Sequence, residues 1–269
     1  MFELAQPKHR SSLRIRLGKE FYISKRKLQW LTQMPKWAKF RSQVEHDHHC
    51  FSHQSLIRRP LRDVEMYLQD NKRVNLEIAL KRLNNLVIAP GESFSFWKFV
   101  GRPTAKRGFL EGLVLKSGKI ETGIGGGLCQ LGNLLFWMMA HSPLTITERH
   151  RHGFDVFPDV NRNIPFGAGA TLAYNYIDLR CINNTTRSFK LHLWLDETHL
   201  HGQLKTDTAL NETFEVIERN HEIKQQAWGG YSRHNEVWRL TQVNGEPLRE
   251  QLLAKNDAVM MYNPFLESS

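Results

Sequence analysis

Cys129 stands directly behind three consecutive glycines, in the run Gly123, Ile124, Gly125, Gly126, Gly127, Leu128, Cys129, Gln130, Leu131, Gly132. Three glycines in succession cannot form helix interior at reasonable cost, while Leu128, Leu131, Leu135 and Met138 fall at helical spacing. The pattern therefore predicts a helix whose first turn carries the cysteine. There the positive end of the helix dipole and unpaired backbone N–H groups favour thiolate over thiol. Gly125, Gly126 and Gly127 let a substrate approach the backbone closely and offer N–H groups to a developing oxyanion. Gly132, one turn on, leaves room on the same face. This is the apparatus of a thiol nucleophile, and it lacks only a base. His152 supplies one, and Asp155 is expected to orient its imidazole. The competing reading of the same residues is a small buried hydrophobe behind glycines that serve tight packing.

The other two cysteines, Cys50 and Cys181, have no comparable setting and are expected to be structural. Three cysteines cannot all pair within one chain, which fits reduced thiols in the cytoplasm. His141, at the end of the cysteine-bearing helix, is expected to act as a favourable charge near the C-terminus. Glu45, His46, Asp47, His48, His49, Cys50 and His53 are all metal-ligand types, but they lack the paired spacing of a structural zinc site. A solvated linker is the expectation there, with no metal and no cofactor.

The elements that must position Cys129 and His152 read as α+β: mostly antiparallel sheet packed against a few helices, with the cysteine-bearing helix after the Gly-rich loop. Residues 62–84 carry one or two helical segments. Leu86 to Ile88 is a strand before the turn at Pro90 and Gly91. Phe94, Phe96 and Phe99 have the density of core aromatics. Strands are expected over 144–147, 171–179 and 189–195, and short ones around 236–242 and 257–262, with Asn244 and Gly245 as a turn between. Strands and helices do not alternate as a doubly wound parallel sheet demands.

The chain has 269 residues and a formal charge of +10, but residues 1–41 alone hold 11 basic and 2 acidic side chains. The remainder is close to neutral, so the basicity belongs to an N-terminal segment. Residues 12–41 mix those charges with Leu13, Leu17, Leu28, Trp30, Leu31 and Trp37, the composition of a basic amphipathic helix broken near Pro35. Such a helix either lies on an anionic membrane surface or packs on the main domain. Nothing beyond charge suggests nucleic acid, and none is expected as a partner. The opening residues lack the apolar stretch of a secretory signal, and the charge-free interval between Glu121 and Glu148 is too diluted by glycine to span a bilayer. The expected location is cytoplasmic, with peripheral membrane attachment through residues 12–41 as an option.

Four blocks then fall in a recognisable order. Pro90 to Phe96 with Val100, Gly101 and Arg102, then Gly125 to Gln130, then Glu148 and Arg149 with His152, then Tyr174 to Leu179 together resemble the VanW family. The resemblance divides the chain into a basic segment (1–57), a VanW-type domain (58–205) and a β-rich extension (206–269). It implies a connection with peptidoglycan and glycopeptide resistance, and an activity similar to that of L,D-transpeptidases. Carried onto this sequence, Cys129 is then the acyl acceptor and His152 the base, with Gly125, Gly126, Gly127, Gln130 and Arg149 contacting a peptidoglycan precursor or stem peptide. Gly132 and Gly169 stand where the common pattern has a small hydroxyl residue and an acidic residue. A precursor-binding protein without turnover, and a membrane adaptor, are the alternatives.

Overall fold

The computed structural model of the protein describes residues 11–33, 35–41, 45–58, 65–116, 118–156, 164–174 and 177–265. In chain order its elements are α1 (Ser12–Thr32), β1 (Lys39–Phe40), β2 (His48–Leu56), α2 (Met66–Leu83), β3 (Leu86–Ile88), β4 (Ser93–Ser95), α3 (Phe96–Val100), β5 (Glu111–Lys116), β6 (Lys119–Ile124), α4 (Cys129–Ala140), β7 (Thr145–Glu148), β8 (Phe154–Asp155), β9 (Arg180–Ile182), β10 (Phe189–Leu195), β11 (His199–Thr206), β12 (Glu212–Gln225), β13 (Tyr231–Val243) and β14 (Glu246–Met260). The architecture is α+β with mostly antiparallel sheets, as the sequence implies.

A five-stranded sheet in the order β1-β3-β10-β11-β2 carries the core. Helix α4 is apolar almost all round, with Leu131, Leu134, Leu135, Phe136, Met138 and Met139 buried, as a helix enclosed by its own protein must be. It crosses β11 at Gly202, where a Cβ would come within 2.5 Å of the Met138 sulfur. Helix α2 lies alongside with Leu76, Ala79, Leu80 and Leu83 buried, the i, i+3, i+4, i+7 stripe of a helix on a core. Phe94 and Phe96 are fully buried and Phe99 packs against them.

Two expectations are corrected. The histidine-rich stretch is not a linker: from His48 onward it is β2, paired with β11 along its whole length. Phe51 stacks on His141 with ring centroids 4.0 Å apart, and His53 meets Trp137 edge-on, so alternate side chains cover the end of α4. The stretch 171–179 is not a strand. Among its described residues the chain turns back at an isolated Ala173–Ile177 bridge, and its apolar side chains pack singly.

The tail is a sheet in the order β12-β13-β14-β8, with β8 joining β14 in parallel. β12, β13 and β14 run 13 to 15 residues rather than the short patterns expected. The β13–β14 turn is made by Asn244 and Gly245, both at positive φ, which matches the right-handed twist of the flanking strands. Arg239 ties this sheet to the core by donating to the carbonyls of Ser142 and Leu144 just beyond α4. No described helix is long and apolar enough to cross a membrane.

Candidate functional site around Cys129

Helix α4 begins at Cys129, with Leu128 as its first boundary residue and no side-chain cap. The chain reaches it through Gly125 (φ 80°) and Gly127 (φ 90°), conformations that residues with a Cβ rarely adopt. Gly126 is required for a different reason. A Cβ there would stand 2.1 Å from the Gly112 carbonyl carbon, because the loop lies directly against the β5 backbone. Asn75 of α2, fully buried, fixes this arrangement: its Nδ2 donates to the carbonyls of Leu110 and Gly126, and its Oδ1 accepts from Leu110 N–H.

The loop's own amides are engaged inside the protein. Gly125 N–H donates to Leu110 O, Gly126 N–H to Gly123 O and Gly127 N–H to Leu113 O. The thiol is part-buried and donates to Leu172 O at 3.9 Å. Desolvation by burial pushes Cys129 up from its ordinary value, against smaller lowering contributions from the backbone at Leu172 and Cys129. Burial thus opposes the bias toward thiolate expected at a helix start. Cys50 and Cys181 are pushed up to about 12, also chiefly by burial.

The same short segment also reaches the stretch that carries His152. Ala170 N–H donates to Asn133 Oδ1 of α4, Thr171 N–H donates to His150 O, and Leu172 O receives the Cys129 thiol. Residues 170–172 therefore join the start of α4 to the chain two residues before His152. His152 is part-buried, and desolvation, with the Arg151 charge, lowers its pKa, so it is the neutral, proton-accepting imidazole at neutral pH. The room left by Gly132 is occupied, since a Cβ there would meet the Leu172 side chain at 2.7 Å. Likewise a Cβ on Gly169 would come within 2.4 Å of Asn133 Oδ1.

Three expected site residues face elsewhere. Asp155 is buried on β8, where Tyr262 Oη–H donates to it at 3.0 Å and Arg233 approaches at 3.6 Å; it forms no hydrogen bond with His152. Gln130 donates to Ser55 and to Leu56 O, holding α4 against β2. Arg149 donates to the carbonyls of Gly169 and Gly167 and to Asn256 Oδ1, over the Phe136 ring. Its charge is poorly solvated, and desolvation together with Arg151 lowers its pKa to about 10. These side chains brace the site rather than face a ligand. His141 is likewise neutral, lowered chiefly by desolvation, and meets the Trp137 carbonyl through Nδ1 at 3.0 Å rather than as a cation.

Beside Arg149 is an acidic pair that the sequence did not single out. Arg26 of α1 holds Glu148, which also meets His150; its partners overcome desolvation and bring its pKa to about 2. Asp178, fully buried, accepts from Ser95 Oγ, Trp97 N–H and Leu179 N–H. Burial raises it to about 6, and the neighbouring Glu148 charge adds to the rise. Both lie within the recognised blocks, but only the fold brings them together.

Among the described residues no three His, Cys, Asp or Glu side chains are placed to hold a metal ion. A shallow groove of about 340 Å³ is lined by Ser52, His53, Gln54, Trp194 and His201, not by Cys129 or His152. No solved structure matches the chain. The vancomycin B-type resistance protein VanW of Enterococcus faecalis is 34% identical over 206 residues, covering 76% of this chain and 74% of that protein. The uncharacterized protein YoaR of Bacillus subtilis is 30% identical over 112 residues, 40% of this chain and 34% of that protein. Residues 71–205, which hold Asn75, the glycine loop, Cys129, His152 and Asp178, match the family described as VanW like protein. With the relative in Enterococcus faecalis aligned over three quarters of both chains, this places the chain in the VanW family.

Proposed function

We propose that this chain serves peptidoglycan metabolism or glycopeptide resistance as a cysteine acyltransferase of the L,D-transpeptidase type, acting on a wall stem peptide. The observation that carries the proposal is the 170–172 segment, in which Leu172 O accepts the Cys129 thiol and Thr171 N–H donates to His150 O, two residues before His152. With Cys129 raised and His152 lowered, the resting pair is a neutral thiol and a neutral imidazole rather than an ion pair. The thiol proton would pass to His152 as sulfur bonds to the peptide carbonyl carbon. The imidazolium would then protonate the departing amine, and an incoming amine or water would release the acyl group. The Cys129 backbone N–H would be a donor to the carbonyl oxygen in the transition state.

A second reading has its own support. The engaged glycine amides and the Leu172 side chain beside Gly132 suit a precursor-binding protein without turnover. One experiment separates the two: the full chain is incubated with a disaccharide tetrapeptide and an amine acceptor, then followed by intact mass. Acyl transfer gives a covalent adduct that Cys129→Ala abolishes. Fragment binding that survives Cys129→Ala, with no adduct in the wild type, supports the second reading and removes the first.

A further inference from the structure

Helix α1 touches the rest of the protein with one face only. Ile23 is its one buried residue; Arg26 reaches Glu148, and Trp30 packs against the core and meets Trp37 edge-on. At 100° per residue these three fall close together on the helical wheel, and Leu13, Leu17, Phe21, Leu28 and Leu31 fall within an arc of about 80° on the far side. Those five are 64%, 62%, 63%, 58% and 72% exposed. Isolated apolar side chains on a surface are ordinary, but five aligned along one helix form a patch that marks a contact. Ile15 and Tyr22, also exposed, lie off this line.

Arg14 and Lys25 flank the stripe on one side, Arg16 and Lys27 on the other. None of the four has a carboxylate partner among the described residues, and Glu20 is bridged by Arg102 at 3.2 Å. We infer that this outer face of α1 docks on an anionic bilayer surface, the leucines and Phe21 entering the headgroup boundary while the flanking cations meet lipid phosphates. A second copy of the chain would bring two cationic borders together. Nucleic acid would engage the charges and leave the apolar stripe in water. Because Arg26 on the inner face holds Glu148, docking would bring the end of β7 close to the membrane surface.

Co-sedimentation of the full chain with vesicles of phosphatidylcholine alone, or with phosphatidylglycerol added, tests this. Binding is expected to the anionic vesicles only, and to fall when salt rises from about 50 mM to about 500 mM, as screening shortens the reach of the charges. Leu17→Glu with Phe21→Glu should weaken binding at least about tenfold, from the lost apolar burial alone. Both positions are exposed, so circular dichroism should be unchanged; Lys25→Glu with Lys27→Glu gives an independent variant expected to lose binding. No binding to anionic vesicles, or binding that both variants retain, overturns the inference. A dimer that Leu17→Glu with Phe21→Glu dissolves, without vesicle binding, assigns the face to a second copy instead.

Discussion

Arg26 grips both carboxylate oxygens of Glu148, Nη1 to Oε2 at 2.5 Å and Nη2 to Oε1 at 2.6 Å, joining α1 to the end of β7 across 122 residues of chain. Both side chains are largely shielded, so the pair is a bidentate, charge-assisted contact rather than a surface ion pair. Arg26→Ala would leave a shielded carboxylate with only His150 and the more distant Arg180, at 3.7 Å. The expected cost is on the order of 2 kcal/mol, and a melting temperature lower by roughly 5 °C. The sign with pH follows from the depressed carboxylate. Its contribution is full above about 4.5 and is lost as pH falls toward about 2. Acid titration of stability should therefore separate wild type from Arg26→Ala above that window and bring them together below it.

Asp178 behaves in the opposite sense. Its ordinary value of 3.8 is raised to about 6 by desolvation, so the folded protein holds a proton that the unfolded chain has released. Stability should fall as pH rises from about 4 to about 6 and level off above. Asp178→Asn removes the titrating group, so the difference between variant and wild type should shift in favour of the variant over that interval. Denaturant midpoints at pH 4, 5, 6 and 7.5 read the effect directly. A difference that stays constant with pH would show that the carboxylate ionises normally in place.

The glycine loop gives a stability prediction with an internal control. In Gly126→Ala the new Cβ would meet Gly112 backbone at 2.1 Å, and backbone cannot swing aside as a side-chain end can. The expected loss is about 3 kcal/mol or more, from displacement of the loop and of the Asn75 clamp. At Gly153 nothing lies within 4 Å of an added Cβ, and its φ is not positive. Gly153→Ala should melt within a degree or two of wild type, whereas Gly126→Ala should melt far lower.

The start of α4 was legible in the sequence to within its first turn, because three glycines exclude helix and the leucines after them demand it. The Asn244–Gly245 turn was legible for a similarly local reason. The β2 strand was hidden by polar letters: His48 and His49 are exposed while Phe51 and His53 cover the aromatic end of α4, a division visible only once His141 and Trp137 are in place. The glycine run was read as a feature of the backbone, but its tightest constraint comes from Gly112, which sequence spacing does not connect to it. Asp155 was assigned to the site by nearness to His152 in sequence, and Gln130 and Arg149 by the family resemblance. Their partners, Tyr262, Ser55 and Asn256, lie on strands or turns far along the chain. Asp178 was overlooked because a lone acid in an apolar block gives no hint of three donors converging on it.

The sharpest remaining prediction concerns the reactivity of Cys129. Burial raises its thiol above the ordinary value of 9, and raises Cys50 and Cys181 to about 12. Alkylation requires thiolate, so iodoacetamide should label the native chain slowly at pH 7, with a rate that climbs through pH 9 without levelling. Peptide mapping should place the label on Cys129, since Cys181 is sealed in the core and Cys50 donates to the His141 carbonyl at 3.8 Å. His152→Ala should leave this profile nearly unmoved, because a neutral imidazole contributes little to the resting charge of the thiol. Acylation by a tetrapeptide donor should fall by a factor on the order of 10²–10⁴ in the same variant, because there the imidazole takes the proton during attack. A labelling midpoint below about 8 that His152→Ala raises would instead identify a preformed thiolate–imidazolium pair, and would mean that the helix terminus outweighs burial at this thiol after all.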